Sequence, residues 1–332
     1  MKINLVKVFT LARAVVEKIP DPVARAVFAA VADVAWALGT GGVRQLETNL
    51  SRVRPGLSRR RLRRLSRAGM RAYLRYYCEM FQLPRLSRRK IEARVRLLGD
   101  AALRETFAQG RSVVAVLGHC GNWDLAGAFA TRELAHVLTV AEVLEPEELF
   151  RDFLDYRTGL GMTIIPLAKD GGVFRQLLRA TRSGTHVVPL LADRDLSSTG
   201  LEVDLFGQRA RVAAGPAALA LGAGVPLHPV MIHHERLTGA RRRAAGSPWG
   251  IVVEFLPAVH EPGAENDVDV VTLTQRWVDA LAPHIRRHPA DWHMLQKVFL
   301  DDLDPGRLTP VASAVEPDRR GAGEATDRGG EA

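Results

Sequence analysis

Residues 119–124 read HCGNWD, directly after the β-branched run VVAVL and one glycine. A histidine and a carboxylate in one short segment are the minimum for proton transfer. An imidazole whose Nδ1–H is held by a carboxylate presents Nε2 as a general base near neutral pH. His119 and Asp124 lie five apart, which does not suit one face of a regular helix, where neighbours fall three or four apart. Across a strand-to-helix turn the spacing works, because a loop histidine bends back toward a carboxylate in the first helical turn. On that reading His119 is the base and Asp124 orients it. The first-turn amides add positive potential for a developing oxyanion. The alternative is a structural histidine bonded to a nearby carboxylate, and an isolated H-x4-D does not choose between the two.

Other chemistries fit less well. The chain has no G-x-S-x-G elbow and no G-x-x-x-x-G-K-[ST] phosphate loop. It has no H-E-x-x-H and no paired C-x-x-C, so neither a metal nor a resident cofactor is expected. His233-His234-Glu235 resembles a ligand cluster, but successive strand side chains point to opposite faces. Cys120 is a poor nucleophile candidate, since sequence neighbours rarely form a nucleophile–base pair.

The elements that must carry HCGNWD are legible around it. From about residue 111 short apolar runs alternate with helical segments. The runs are SVVAVLG, HVLTVAEV, GMTIIPL, THVVPLLA, PLHPVMIHHE and GIVVEFLPA. Between them lie WDLAGAFATREL, EELFRDFLDYRTG, GGVFRQLLRATRSG and GPAALALGAG. This alternation predicts an α/β fold with a central, mostly parallel twisted sheet flanked by helices. In open sheets of this kind ligands collect at the strands' carboxyl ends, where His119 falls, with Gly121 or Asn122 opening the next helix. Residues 1–95 read as a helical, amphipathic and basic region packed on the core. Residues 96–303 read as the α/β core, and the Gly-, Pro- and charge-rich residues 304–332 as a disordered tail.

The chain has 332 residues, a formal net charge of +9 and 47% hydrophobic residues. That charge points to a polyanionic partner: nucleic acid, an anionic membrane or a phosphorylated substrate. Two cysteines, Cys78 and Cys120, make no disulfide framework and fit a reducing compartment. Charged residues interrupt the apolar runs of residues 1–38, which argues against a signal peptide or a spanning helix. Asp21, after Pro20, is placed to cap a helix. Between Arg44 and Lys90 fifteen Lys/Arg face two acids, Glu47 and Glu79, while Leu57, Leu62, Leu65, Met70, Leu74 and Phe81 form an apolar side. A solvated helix face, a membrane-surface face and a DNA-binding face all remain open. The interleaving favours the membrane surface, and no helix-turn-helix or zinc-finger spacing supports nucleic acid.

A second block, LLADRDLSSTGLEVDLFGQRARVAAGPAALALGAGVPLHPVMI (residues 190–232), follows. Together with HCGNWD it resembles the bacterial lipid A late acyltransferases, within the wider glycerolipid acyltransferases that share an H-x4-D/E motif. HPADWHMLQKVFLDD, residues 288–302, resembles their actinobacterial branch, which acylates phosphatidylinositol mannosides. The resemblance covers residues 1–303. Asp124 stands where relatives usually have glutamate, and Cys120 where they often have phenylalanine.

The resemblance implies an acyl-CoA donor, palmitoyl-CoA being the expected one, and a mannose hydroxyl of a phosphatidylinositol mannoside as acceptor. His119 then takes the hydroxyl proton and Asp124 orients the ring. Asp193 matches the family's second acid, fixing either the histidine or the sugar. Glu142 and Arg157 match acceptor-side positions, and a surface acid and a surface ion pair are their alternatives. Arg194 is left between pairing with Asp193 and binding an anion. His293 and Trp292 line the acceptor side, with core packing favoured for Trp292. Leu117, Ala126, Phe129, Ala130 and the AALALGAG segment are offered as walls of an acyl tunnel. The implied location is the cytoplasmic face of the cell membrane, peripheral or monotopic, with no protein partner. A lipid A-like or lysophospholipid acceptor and a non-enzymatic binder are the competing readings.

Overall fold

The computed structural model describes residues 13–16, 18–143, 146–167, 172–195, 200–264 and 268–303. The expectations for residues 1–12 and for the tail 304–332 lie outside the described residues. The strands are β1 (Val95–Leu98), β2 (Val113–Leu117), β3 (His136–Glu142), β4 (Thr163–Leu167), β5 (His186–Leu191), β6 (Leu201–Leu205), β7 (Gln208–Val212), β8 (Leu227–Arg236) and β9 (Trp249–Phe255). Seven of them form one sheet in the order β1-β9-β8-β2-β5-β3-β4. Every neighbouring pair is parallel except β8 and β9. The fold is therefore α/β, as the alternation predicted, and all six expected runs are strands.

β2 is buried at every position, as a central parallel strand must be. Val114 and Val116 enter one core with Leu219 and Trp277, while Val113, Ala115 and Leu117 enter another with Leu125 and Ile251. The alternation of strand side chains thus divides the apolar groups between the sheet's two faces. It also separates the two sets offered for an acyl tunnel. Leu117 and Ala126 belong to one core, and Ala217, Leu219 and Ala220 to the other.

The V-D-L-F-G motif is the turn of a hairpin joining β6 to β7, with Leu205 opposite Gln208. Phe206 and Gly207 both have positive φ, +56° and +82°, as a two-residue turn matching strand twist requires.

The N-terminal helices are α1 (Asp21–Leu38), α2 (Gly41–Val53), α3 (Arg59–Gln82) and α4 (Arg88–Arg94). Asp21 sits in the first turn of α1 rather than at its cap, which is Pro20, and makes no capping bond. Later helices are α5 (Ala101–Ala108), α6 (Trp123–Glu133), α7 (Glu147–Gly159), α8 (Val173–Ser183), α9 (Gly215–Ala223), α10 (Gly239–Ala245) and α11 (Val270–Arg287). α1 packs along α3, where Arg67 and Arg71 both fork onto Asp33. α3 also packs against the turn at Pro289–Asp291. Among the described residues no single helix is long and apolar enough to cross a membrane; α1 and α2, bent by 83°, pass that test only as a pair.

Candidate active site

Strand register builds the site. Leu117 of β2 pairs with Leu191 of β5, and Ala192 N–H donates to Leu117 O at 2.9 Å. His119 and Asp193 each lie two residues past that paired end, so the parallel ladder sets them side by side at the carboxyl edge. His119 Nδ1 is 2.5 Å from Asp193 Oδ1. Asp193 Oδ2 accepts from the His119 backbone N–H at 2.9 Å and from Trp292 Nε1–H at 2.7 Å. Burial alone would raise the Asp193 carboxyl; His119 and the Trp292 donor outweigh it and hold it below the ordinary value. A Cβ at Gly118 would come within 3.1 Å of Asp193 Oδ2, tighter than ordinary contact, so a side chain there would press on the carboxylate.

The expectation that Asp124 orients His119 is corrected. Asp124 Oδ2 accepts from Tyr76 O–H at 2.7 Å and Oδ1 from Arg157 Nε–H at 2.8 Å. The cause is where the helix begins. Asn122 caps α6, its side chain accepting from Leu125 N–H at 2.9 Å. The first helical residue, Trp123, sets its ring edge-on to His119, with centroids 5.8 Å apart. Asp124 then falls about 100° further round, toward α3 and α7. Its charge pushes the Arg157 guanidinium still further above its ordinary value.

The third wall is residues 291–293. Gly121 N–H donates to Asp291 O at 3.0 Å, and His293 N–H to His119 O at 2.8 Å. Cys120 and Trp292 form the antiparallel bridge between them. Gly121 has φ +61°, and a Cβ there would meet the Ile232 carbonyl at 2.7 Å. Trp292 is fully buried, as the packing reading required, yet it also donates to the site carboxylate. His293 is buried among Tyr73, Tyr76 and Trp123, with both ring nitrogens unbonded. Burial pushes its pKa down to about 3, so the ring is neutral.

The remaining expected residues are less closely held. Arg157 reaches the site through Asp124 alone. Arg194 is half-buried, and the partners of Asp193 are His119 and Trp292 instead. Glu142 is exposed at the end of β3, two strands from β2. Cys120 is buried with its thiol pushed up by burial, which suits no nucleophile. Among the described residues no group of three His, Cys, Asp or Glu side chains is placed to hold a metal ion. Sequence reasoning missed Tyr76, which no spacing links to Asp124.

The chain is similar to known proteins along most of its length. Residues 4–301 match the family described as bacterial lipid A biosynthesis acyltransferase. A phosphatidylinositol mannoside acyltransferase of Mycolicibacterium smegmatis is 34% identical over 292 residues, covering 88% of this chain and 90% of its own. A protein of the same name from Mycobacterium tuberculosis is 37% identical over 279 residues, 82% of each chain. Among solved structures, the 1-acyl-sn-glycerophosphate acyltransferase PlsC of Thermotoga maritima matches with a TM-score of 0.35 and 12% identity, over 80% of this chain and 97% of its own. With nearly its whole length matched, the chain belongs to the bacterial lipid A biosynthesis acyltransferase family and is an O-acyltransferase.

Proposed function

We propose that the enzyme moves a long-chain fatty acyl group from acyl-CoA to a mannose hydroxyl of a phosphatidylinositol mannoside, in the making of envelope glycolipids. The observation that carries the chemistry is the His119–Asp193 pair. With Nδ1–H held by the carboxylate, Nε2 is left to accept, and no described residue bonds it. Nε2 takes the acceptor hydroxyl proton, the oxygen attacks the thioester carbonyl, and a tetrahedral intermediate forms. Its collapse makes the ester and expels CoA thiolate, which recovers a proton. Asp193 stabilises the imidazolium in between. The relatives' printed names support the choice of acceptor. Arg157, Arg194, Glu142 and His293 are read as lining the acceptor or donor, and no cofactor is needed.

The test is thiol release from palmitoyl-CoA with three acceptors: phosphatidylinositol dimannoside, phosphatidylinositol and a lysophospholipid. Release with the dimannoside alone is expected. Release with the lysophospholipid alone would keep the reaction and overturn the acceptor.

Both substrates are lipids, and α1 supports docking on the cytoplasmic leaflet. Val23, Val27, Val31, Val34 and Leu38 are exposed along one face, Val34 by 59% and Leu38 by 75%. Their spacing of three and four makes one stripe. Arg59, Arg60, Arg61 and Arg64 are exposed on α3, against which α1 packs. Basic residues near an anionic surface contribute about 1 kcal/mol each, weakened by salt. Replacing Val31 and Val34 together by glutamate is expected to weaken sedimentation with anionic vesicles about tenfold or more. Because both side chains are exposed, thermal stability should hold. Unchanged sedimentation would remove α1 from the docking surface.

A further inference from the structure

The H-H-E run has no part in the chemistry above, yet its His234 side chain is buried between two carboxylates. β8 alternates as its sequence requires. His233 stacks on His288, with ring centroids 3.6 Å apart, while His234 turns inward. His234 Nδ1 lies 2.6 Å from Asp291 Oδ1. On its other side Nε2 is 3.5 Å from Glu79 Oε2, an ion-pair distance rather than a hydrogen bond.

Each of those carboxylate residues holds one part of the turn that carries His119. Glu79 Oε2 accepts from Asn122 Nδ2–H at 2.9 Å, and Asn122 is the fully buried cap of α6. Asp291 accepts from Gly121 N–H through its carbonyl. One residue beyond Asp291, Trp292 donates to Asp193; two beyond, His293 donates to the His119 carbonyl. We infer that His234 is a positioning residue: clamped between Glu79 and Asp291, it holds the 119–122 turn and the 291–293 segment in register around the base. The inference rests on the reading of His119 as that base.

Charge balance supports the clamp. Two buried carboxylates flank one imidazole, so a cationic ring offsets the cost of burying their charges beside it. Arg75 of α3, stacked 3.6 Å over Trp249 of β9, also acts on Glu79 and Asp291. Arg94 and Cys78 also act on Glu79, and His288 and Cys120 on Asp291, while His293 is neutral. Burial pushes the His234 ring down, but Asp291 and Glu79 outweigh it and raise its pKa to about 9. The ring is thus a cation through the neutral range. Its contribution is complete below the ordinary histidine value and is lost as pH rises through about 9.

The experiment has two arms. Nitrogen NMR of the native protein, assigned with His234→Gln, should show a doubly protonated His234 at neutral pH. Protection of the amides at residues 119–122, corrected for the intrinsic base-catalysed rise, should fall over the same alkaline range in which that ring loses its proton. In His234→Gln, exchange there and at 291–293 should rise about tenfold or more. Turnover should fall about 10–100-fold with KM nearly unchanged, since a small displacement of a catalytic group acts on the chemical step. A neutral His234 at neutral pH, or unaltered exchange and turnover in the variant, would overturn the clamp. Should the variant not fold, the native titration and exchange decide alone. Neither needs a substrate, so a native enzyme inactive on every acceptor would refute the proposed function and leave the clamp to be judged separately.

Discussion

A His119→Ala enzyme is expected to transfer acyl groups about 10²–10⁴-fold more slowly than the native chain, a barrier increase of about 3–5 kcal/mol, with its fold intact. The size follows from losing the base while keeping the substrates' binding surfaces. The intact fold follows from what remains around Asp193. Two of its three donors, the residue 119 backbone N–H and Trp292 Nε1–H, survive the truncation. The buried carboxylate is therefore not orphaned, and the ring removed is already partly exposed. His293, bonded through its backbone N–H to residue 119, is a poor substitute base, because a pKa of about 3 leaves it little affinity for a proton at neutral pH. The check is kcat on the accepted mannoside, with circular dichroism and a melting curve. Turnover within threefold of native would move the base elsewhere.

Which parts of this site the sequence could show follows from how local each part is. The strand–turn–helix around HCGNWD was legible because every signal lies within some twenty residues: a continuous apolar run, a glycine turn and an Asn that caps the helix. The six core strands were legible for the same reason. What could not be read was adjacency. His119 and Asp193 are 74 residues apart, and only the β2–β5 neighbourhood joins them. Without strand order, spacing points to the carboxylate nearest in sequence, Asp124, and only the family resemblance offers Asp193 as fixing the histidine. The same applies to α3. Its one acid, Glu79, reads as a minor exception in a basic stretch, and nothing local shows that Glu79 is buried under the active-site turn or that Tyr76 reaches Asp124. Edge strand β1, four residues long with only Val95 buried, gave no periodic signal to detect.

Asp193→Asn should match the loss in His119→Ala, about 10²–10⁴-fold, while Asp124→Asn should act mainly on stability. Asp193 Oδ2 faces two donors that cannot reverse, a backbone N–H and an indole N–H. An asparagine must therefore turn its carbonyl oxygen toward them and its NH2 toward His119 Nδ1. Nδ1 then becomes the acceptor, the ring proton moves to Nε2, and the atom that must take the hydroxyl proton already holds one. Asp124→Asn imposes no tautomer on His119, because its partners are Tyr76 and Arg157. It leaves the mostly buried Arg157 guanidinium without its counter-charge, a change that costs about 3–5 kcal/mol for buried pairs. The two variants separate by melting temperature against kcat, and nitrogen NMR of His119 reads the tautomer directly. If Asp193→Asn keeps the native tautomer and most of the turnover while Asp124→Asn melts normally and is inactive, Asp124 would recover the orienting role. With the observed bonds, the tautomer should shift only in Asp193→Asn.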